Sequence, residues 1–174
     1  IGLEWLNKGN EKDAAVWIGI VYSEGGEGVP QDRDLAEEWF RKSDDPLAMA
    51  LLPGLYLSKK YGVVNLAKGL SLAHEVEANL EGEFRIMIQT ILMAVYHENN
   101  NVEEKFYWLN KSAEAGDAQS QTILGIYLLT GNGIEKNTSD GMQLITKVAT
   151  NGGVDAQYFL GLLYYSGSQE IGLG

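Results

Sequence analysis

The chain has 174 residues and no cysteine, so disulfide frameworks, thiolate nucleophiles and cysteine-ligated zinc are excluded. Its 24 acidic and 13 basic residues give a net charge of −11. That balance disfavours nucleic acid and anionic membrane surfaces, because phosphate recognition needs clustered Lys and Arg. An apolar content of 45% is enough to bury a core, while no apolar run nears the roughly 18 residues of a membrane span.

In chain order the apolar residues fall at helical spacing in pairs of segments separated by Gly- or Asn-rich turns. Residues 1–10 read as the end of a preceding unit, and the chain opens at Ile1 without Met, as a trimmed piece would. Repeat 1 (11–45) begins with a helix over Asp13–Glu24, whose stripe is Ala14, Trp17, Ile18, Val21 and Tyr22. The segment 25–30, with three glycines and Pro30, ends it, Asp32 caps the next helix, and Leu35, Ala36, Trp39 and Phe40 turn inward. Repeat 2 (46–83) has a first helix over Leu47–Ser58 with Pro53 inside it, where the missing N–H predicts a kink. Its turn lies near Lys60–Val64 and its second helix runs through about Leu80.

Repeat 3 (84–117) pairs Phe84–His97 with Val102–Ala115 across the short turn Asn99-Asn100-Asn101. Repeat 4 (118–153) has a helix over Ala118–Leu129, the turn Gly131-Asn132-Gly133-Ile134, a cap at Asn137 and a second helix carrying Met142, Leu144, Ile145 and Val148. Residues 154–174 supply a lone first helix, about Asp155–Tyr165, so the whole chain reads as a single repeat domain cut at both ends.

The period supports this division. Trp5-Leu6-Asn7-Lys8, Trp39-Phe40-Arg41-Lys42, Trp108-Leu109-Asn110-Lys111 and Leu144-Ile145-Thr146-Lys147 start 34, 69 and 36 residues apart, and the missing copy is the degenerate Leu70-Ser71-Leu72-Ala73. Gly19, Gly54, Gly125 and Gly161, each followed by an aromatic stretch, keep the same beat. Fixed periods of this length mark a stacked-repeat solenoid. The small residue is predicted where a paired helix approaches closely, since a helical Gly costs about 1 kcal/mol relative to Ala. The Trp of each second helix is predicted to fill the gap between units.

These units resemble the Sel-one-like repeat (SLR) family, relatives of the tetratricopeptide repeats. The matching residues are Ile18-Gly19 to Tyr22, Gly26-Glu27-Gly28-Val29-Pro30-Gln31-Asp32, Ala36 to Trp39, Lys111 to Ala118, and Leu124-Gly125 to Gly133-Ile134. The unit between Phe84 and Asn101 departs from the pattern, with Met93 or Ala94 in place of the Gly and no Gly-x-Gly turn. The resemblance implies an all-α, right-handed α-α superhelix of about four helix-turn-helix repeats, with first helices lining the concave face. It also implies non-catalytic adaptor or scaffold work, soluble in a bacterial cytoplasm or periplasm. An immunity or adaptor protein neutralising a secreted partner is a variant of that reading.

The residue chemistry offers no competing catalytic centre. His74 and His97 each precede a Glu, a spacing that puts the pair on different helix faces. Gly26-x-Gly28 and Gly131-x-Gly133 lack the third glycine and the preceding strand of a phosphate loop. Some cysteine-rich relatives are linked to β-lactam binding, but this chain has neither their cysteines nor a Ser-x-x-Lys or Lys-Thr-Gly sequence, which leaves a hydrolase-like small-molecule binder as a remote alternative. No metal, cofactor or catalytic residue is implied.

The tetratricopeptide analogy instead selects a groove. Val16 and Ile20, Leu51 and Leu55, Thr122 and Ile126, and Tyr158 and Leu162 are expected to face the concavity, with Ser23, Glu24, Ser58 and Thr130 along its rim. Such an apolar trough with acidic edges suits an extended segment or amphipathic helix of a protein partner, and the net charge favours a basic one. End-to-end self-association through exposed apolar ends is the alternative assembly.

Overall fold

A computed structural model describes residues 11–165, which are almost wholly helical. Contacts divide the chain into two compact units, residues 1–88 and 89–174. In the first, α1 (Glu11–Glu24) packs on α2 (Arg33–Lys42), and α3 (Pro46–Leu51) and α4 (Gly54–Leu57) precede α5 (Leu66–Asn79), which packs on both. The division falls within α6 (Gly82–Glu98). The second unit continues with α7 (Val102–Glu114), α8 (Ala118–Thr130), α9 (Thr138–Thr150) and α10 (Val154–Tyr165), each packed on the next. The expected copy at Trp5 lies outside the described residues.

One local device builds every hairpin. Asp32, Asn65, Asn101 and Asn137 are the N-caps of α2, α5, α7 and α9, and each side chain accepts a backbone N–H of the helix it opens. A short acceptor at this position satisfies a donor that the helix itself cannot. The backbone N–H of the same residue reaches back to the previous helix: Asp32 to Tyr22 O (2.8 Å), Asn65 to Tyr56 O (2.9 Å), Asn101 to Tyr96 O (2.9 Å) and Asn137 to Leu128 O (2.9 Å). One residue thus ties the end of one helix to the start of the next.

The glycines act as anticipated at two of the four positions. A Cβ on Gly19 would stand 2.5 Å from the Phe40 ring, and one on Gly125 would stand 2.6 Å from Ile145 and 3.0 Å from the Gly141 carbonyl. Gly141 on α9 is as tightly placed against Gly125, so two glycines meet where α8 crosses α9. Gly54 and Gly161 face open space. In the second hairpin the close approach has moved to Gly69 on α5, which lies against Leu57.

Pro53 does more than kink its helix. The bonds around it shorten to i→i−3, Leu52 N–H to Met49 O and Leu55 N–H to Leu52 O, and the helix divides into α3 and α4. Trp17 also departs from expectation: it is 59% exposed, while the adjacent Ala14, Ala15 and Ile18 are buried. Trp108 is buried as anticipated, and Trp39 is half-buried with the Lys42 ammonium 4.3 Å above its ring. In the second unit one apolar cluster gathers Phe106, Leu109, Ala113 and Leu124, and another gathers Leu129, Ile145, Val148, Ala156 and Leu163.

The contrast between glycines is testable. Gly125→Ala should destabilise by about 1–3 kcal/mol through overpacking against α9, whereas Gly161→Ala should stabilise by up to about 1 kcal/mol through helix propensity alone. Urea melts of the two variants give the sign of each change.

Candidate functional site

The residues selected for the groove divide by burial and by hydrogen bonding. Val16, Leu55, Ser23 and Thr122 are buried, and Ile20, Leu51, Ile126 and Ser58 are half-buried. Glu24, Thr130, Tyr158 and Leu162 are exposed. The polar members use their hydrogen bonds locally. Ser23 donates to Ile20 O, Thr122 to Ala118 O and Thr130 to Ile126 O, which are back-bonds within their own helices. Ser58 caps the 3₁₀ turn Lys59–Tyr61 by accepting from the Lys60 N–H. Glu24 accepts from the Lys60 ammonium at 2.6 Å and from the Tyr61 hydroxyl at 3.2 Å, so its carboxylate closes the first unit's loops and its pKa is held below the ordinary value, chiefly by Lys60.

That closure extends into a polar network that the sequence pattern did not reveal. Glu37 on α2 receives the Lys68 ammonium at 2.7 Å, the Tyr56 hydroxyl at 2.7 Å and Arg41 Nε at 3.0 Å. Arg41 also grips Glu75 on α5 with both terminal nitrogens, at 2.8 and 3.2 Å. The Arg33 and Lys68 cations lie 4.5 and 4.1 Å from the Tyr56 ring centre. Only the i,i+4 pair Glu37–Arg41 was accessible to local reasoning. Glu37–Lys68 and Arg41–Glu75 join residues about one repeat apart, which a repeat step places on neighbouring hairpins, while Tyr56 lies 19 residues from Glu37.

The electrostatics of this network are those of a clasp. Burial alone would raise the Glu37 pKa, but hydrogen bonds from Lys68, Tyr56 and Arg41 outweigh it and hold the group at about 2. Burial raises the Tyr56 hydroxyl, and the Glu37 bond raises Lys68. A general acid or base works best with a pKa near the operating pH, and here Glu37, Tyr56 and Lys68 are each driven away from it. Among the described residues no group of three or more His, Asp or Glu could hold a metal ion, and His74 and His97 are both exposed. No helix among them is long and apolar enough to cross a membrane.

The surface left available is on α10. Val154, Tyr158, Leu162 and Tyr165 recur at three- and four-residue steps, so they share one helix face, and all four are exposed, Tyr158 by 69%. Gly161 lies in the same helix with open space before it. In α1 and α8 the corresponding glycine is covered by Phe40 and Ile145 of the following helix.

Paired helices joined by capped turns at a constant period define an all-α repeat protein of the solenoid class. The family model for the Sel1 repeat matches residues 12–43, 106–117, 118–153 and 154–172, more than half of the chain. The chain belongs to the Sel1 repeat family. A Sel1 repeat protein from Oxalobacter formigenes is similar in structure, with a TM-score of 0.63 and 23% identity over 90% of this chain and 63% of that one. The protective antigen c5321 of uropathogenic Escherichia coli strains, which displays an SLR fold, aligns with a TM-score of 0.57 and 24% identity over 88% of this chain and 34% of its own. At that identity the likeness establishes the fold, and this chain spans less than two thirds of either protein. Sel1 repeat proteins generally mediate protein–protein interactions, and their fold is generally a non-catalytic scaffold.

The network predicts an acid-sensitive first unit. Glu37 has a depressed pKa in the folded state, so its contribution is fully present above the unfolded value near 4.3 and is lost as pH falls toward about 2. The loss should be on the order of 2–3 kcal/mol, allowing for partial solvent screening. Glu37→Gln should cost a similar amount at neutral pH and flatten the slope of stability between about pH 4.5 and 2, read from urea midpoints across that range.

Proposed function

We propose that the chain is a non-catalytic interaction module that binds an apolar segment of a protein partner, with α10 as a principal contact. The observation that carries this is the exposed stripe of Val154, Tyr158, Leu162 and Tyr165. Aromatic and aliphatic side chains on one helix face lose little conformational entropy on binding and bury large area, which is how amphipathic helices are recognised. The open space at Gly161 favours a helical partner, because the corresponding Gly19 and Gly125 each receive a large apolar side chain from the following helix.

Of the groove positions, Ile20, Leu51 and Ile126 are half-buried and can add contact area, while Val16 and Leu55 act through packing. Ser23, Thr122 and Thr130 would shape the trough rather than donate to a partner, since their hydroxyls already donate to backbone carbonyls, whereas Ser58 accepts from the Lys60 N–H and keeps its own O–H for a partner. The net charge of −11 favours a partner segment with basic flanks and a strong dependence of association rate on salt.

The test compares retention of a purified or captured protein partner by the wild-type chain and by Tyr158→Glu/Leu162→Glu. Both positions are exposed, so helicity by circular dichroism should be unchanged. Binding should weaken at least about a hundredfold, as expected when central apolar anchors are replaced by charge. Unaltered retention by the double variant would remove α10 from the interface. Gly161→Leu should likewise block a helical partner while leaving the free chain folded.

A further inference from the structure

The most buried lysine of the described chain is one that no anion neutralises. Lys105 on α7 is 8% exposed. Its ammonium lies 4.2 Å from the Phe106 ring centre and 4.6 Å from that of Tyr127, two rings that meet edge to face at 4.9 Å. Among the described residues no carboxylate, carbonyl or hydroxyl forms an ion pair or hydrogen bond with it. Lys42, Lys60 and Lys68 are all more exposed, and each reaches a glutamate within 2.8 Å. The nearest carboxylate in sequence, Glu104, accepts the Trp108 indole N–H at 3.1 Å. Burying an ammonium without an acceptor is costly, and aromatic faces offset only part of that cost.

Lys105 lines a cavity of about 260 Å³ within the second unit. The cavity is also bounded by Asn100 and Asn101 of the α6–α7 turn, Asn132 of the α8–α9 turn, and the rings of Tyr96 and Tyr127. It lies at the start of α7, where Asn101 is the N-cap and Val102 the first helical residue. The positive end of a thirteen-residue helix and an unneutralised ammonium therefore face the same space. Asparagine amides supply neutral donors beside them, and the two tyrosine rings supply apolar walls. Glu103 and Glu104 in the first turn of α7 add negative charge near that helix end, which disfavours a doubly charged anion more than a singly charged one.

We propose that this cavity is a binding site for a carboxylate on a small apolar body, with Lys105 as its counter-ion, the asparagine amides as additional donors and Tyr96 and Tyr127 holding the apolar part. The volume suits a group the size of one amino-acid residue, and the chemistry is shared by the C-terminus of a peptide and by a free carboxylic acid. The site uses α6, α7 and the α8–α9 turn, and does not rest on the α10 reading.

The experiment is an amide NMR titration of the whole chain with four probes: N-acetyl-Gly-Leu with a free carboxylate, the same peptide with an amidated C-terminus, sodium acetate and inorganic phosphate. The acid peptide should shift the Asn132 and Gly133 amides saturably, and the amidated peptide should bind at least about tenfold more weakly. Lys105→Met should weaken the acid peptide by about tenfold or more at unchanged helicity. Because Lys105 packs against two rings, Asn132→Asp serves as a second variant: it adds a negative charge at an exposed cavity position without touching that packing, and should weaken the acid peptide severalfold. Acetate binding as tightly as the peptide would support the site and assign it to free acids, while a tenfold preference for the peptide would assign it to chain ends. Equal shifts from acid and amide, tighter binding of inorganic phosphate than of the acid peptide, or wild-type affinity in Asn132→Asp would overturn the proposal.

Discussion

The N-cap at each hairpin is the constraint on which the remaining structure depends. Asp32, Asn65, Asn101 and Asn137 each accept a hydrogen bond with the side chain and donate one with the backbone, so a single residue sets both where the second helix starts and how closely it returns to the first. A side chain lacking an acceptor would leave a helix N–H unsatisfied, at a cost of about 1 kcal/mol, and would also loosen the crossing. The spacing of these four residues, 33, 36 and 36, is the repeat period in its most direct physical form. The intervening turn can then vary. Asp32 and Asn137 follow glycine turns, whereas Asn101 follows only Asn99 and Asn100, with Asn100 in the left-handed conformation at φ 57° that a glycine otherwise supplies.

Once the turns are set, the first, second and fourth hairpins each pack closely on a glycine, but not always in the same helix. Gly19 and Gly125 accept Phe40 and Ile145, and Gly141 lets α9 come still nearer to α8. In the second hairpin Pro53 has divided the first helix, Gly54 no longer faces a neighbour, and Gly69 on the opposite helix takes over against Leu57. The same problem has been solved with the small residue on the other strand of the hairpin. This explains how a unit whose motif copy reads Leu70-Ser71-Leu72-Ala73 still packs like its neighbours.

What the sequence disclosed follows from the range of each interaction. Helix pairs, caps at Asp32 and Asn137, and the glycine turns are local and periodic, so spacing alone finds them. The cap at Asn101 is equally local but sits in an asparagine run with no glycine signal, and its register became clear only from the bond to Tyr96 O. The Glu37 network joins α2 to Tyr56, Lys68 and Glu75, from 19 to 34 residues along the chain, and no single helical window contains its members. Trp17 is exposed although it belongs to the apolar stripe, because helical spacing places it at the edge of that stripe and periodicity does not say how wide the buried face is. Groove positions carried over from a related repeat identify a face, but burial and back-bonding decide which of its residues can touch another molecule.

Each unit is held by its own set of contacts, and these bear on where recognition can be placed. In the first unit, ion pairs join neighbouring hairpins, Glu24 to Lys60, Glu37 to Lys68 and Arg41 to Glu75, beside buried apolar residues such as Phe40, Leu55, Tyr56 and Val76. Pairs of this kind weaken with salt and with protonation of the carboxylates. In the second, α8, α9 and α10 are joined by Leu129, Ile145, Val148, Ala156 and Leu163, and Gln121 and Gln157 each donate to the carbonyl eight residues back, at 2.9 Å in both cases. Neutral amides and apolar contacts change little over the same range of salt and pH. Both the α10 stripe and the Lys105 cavity lie in this second unit. A binding surface whose partner is steered by the net charge gains from that arrangement, because salt can then change the rate of encounter without first changing the shape of the surface that is met.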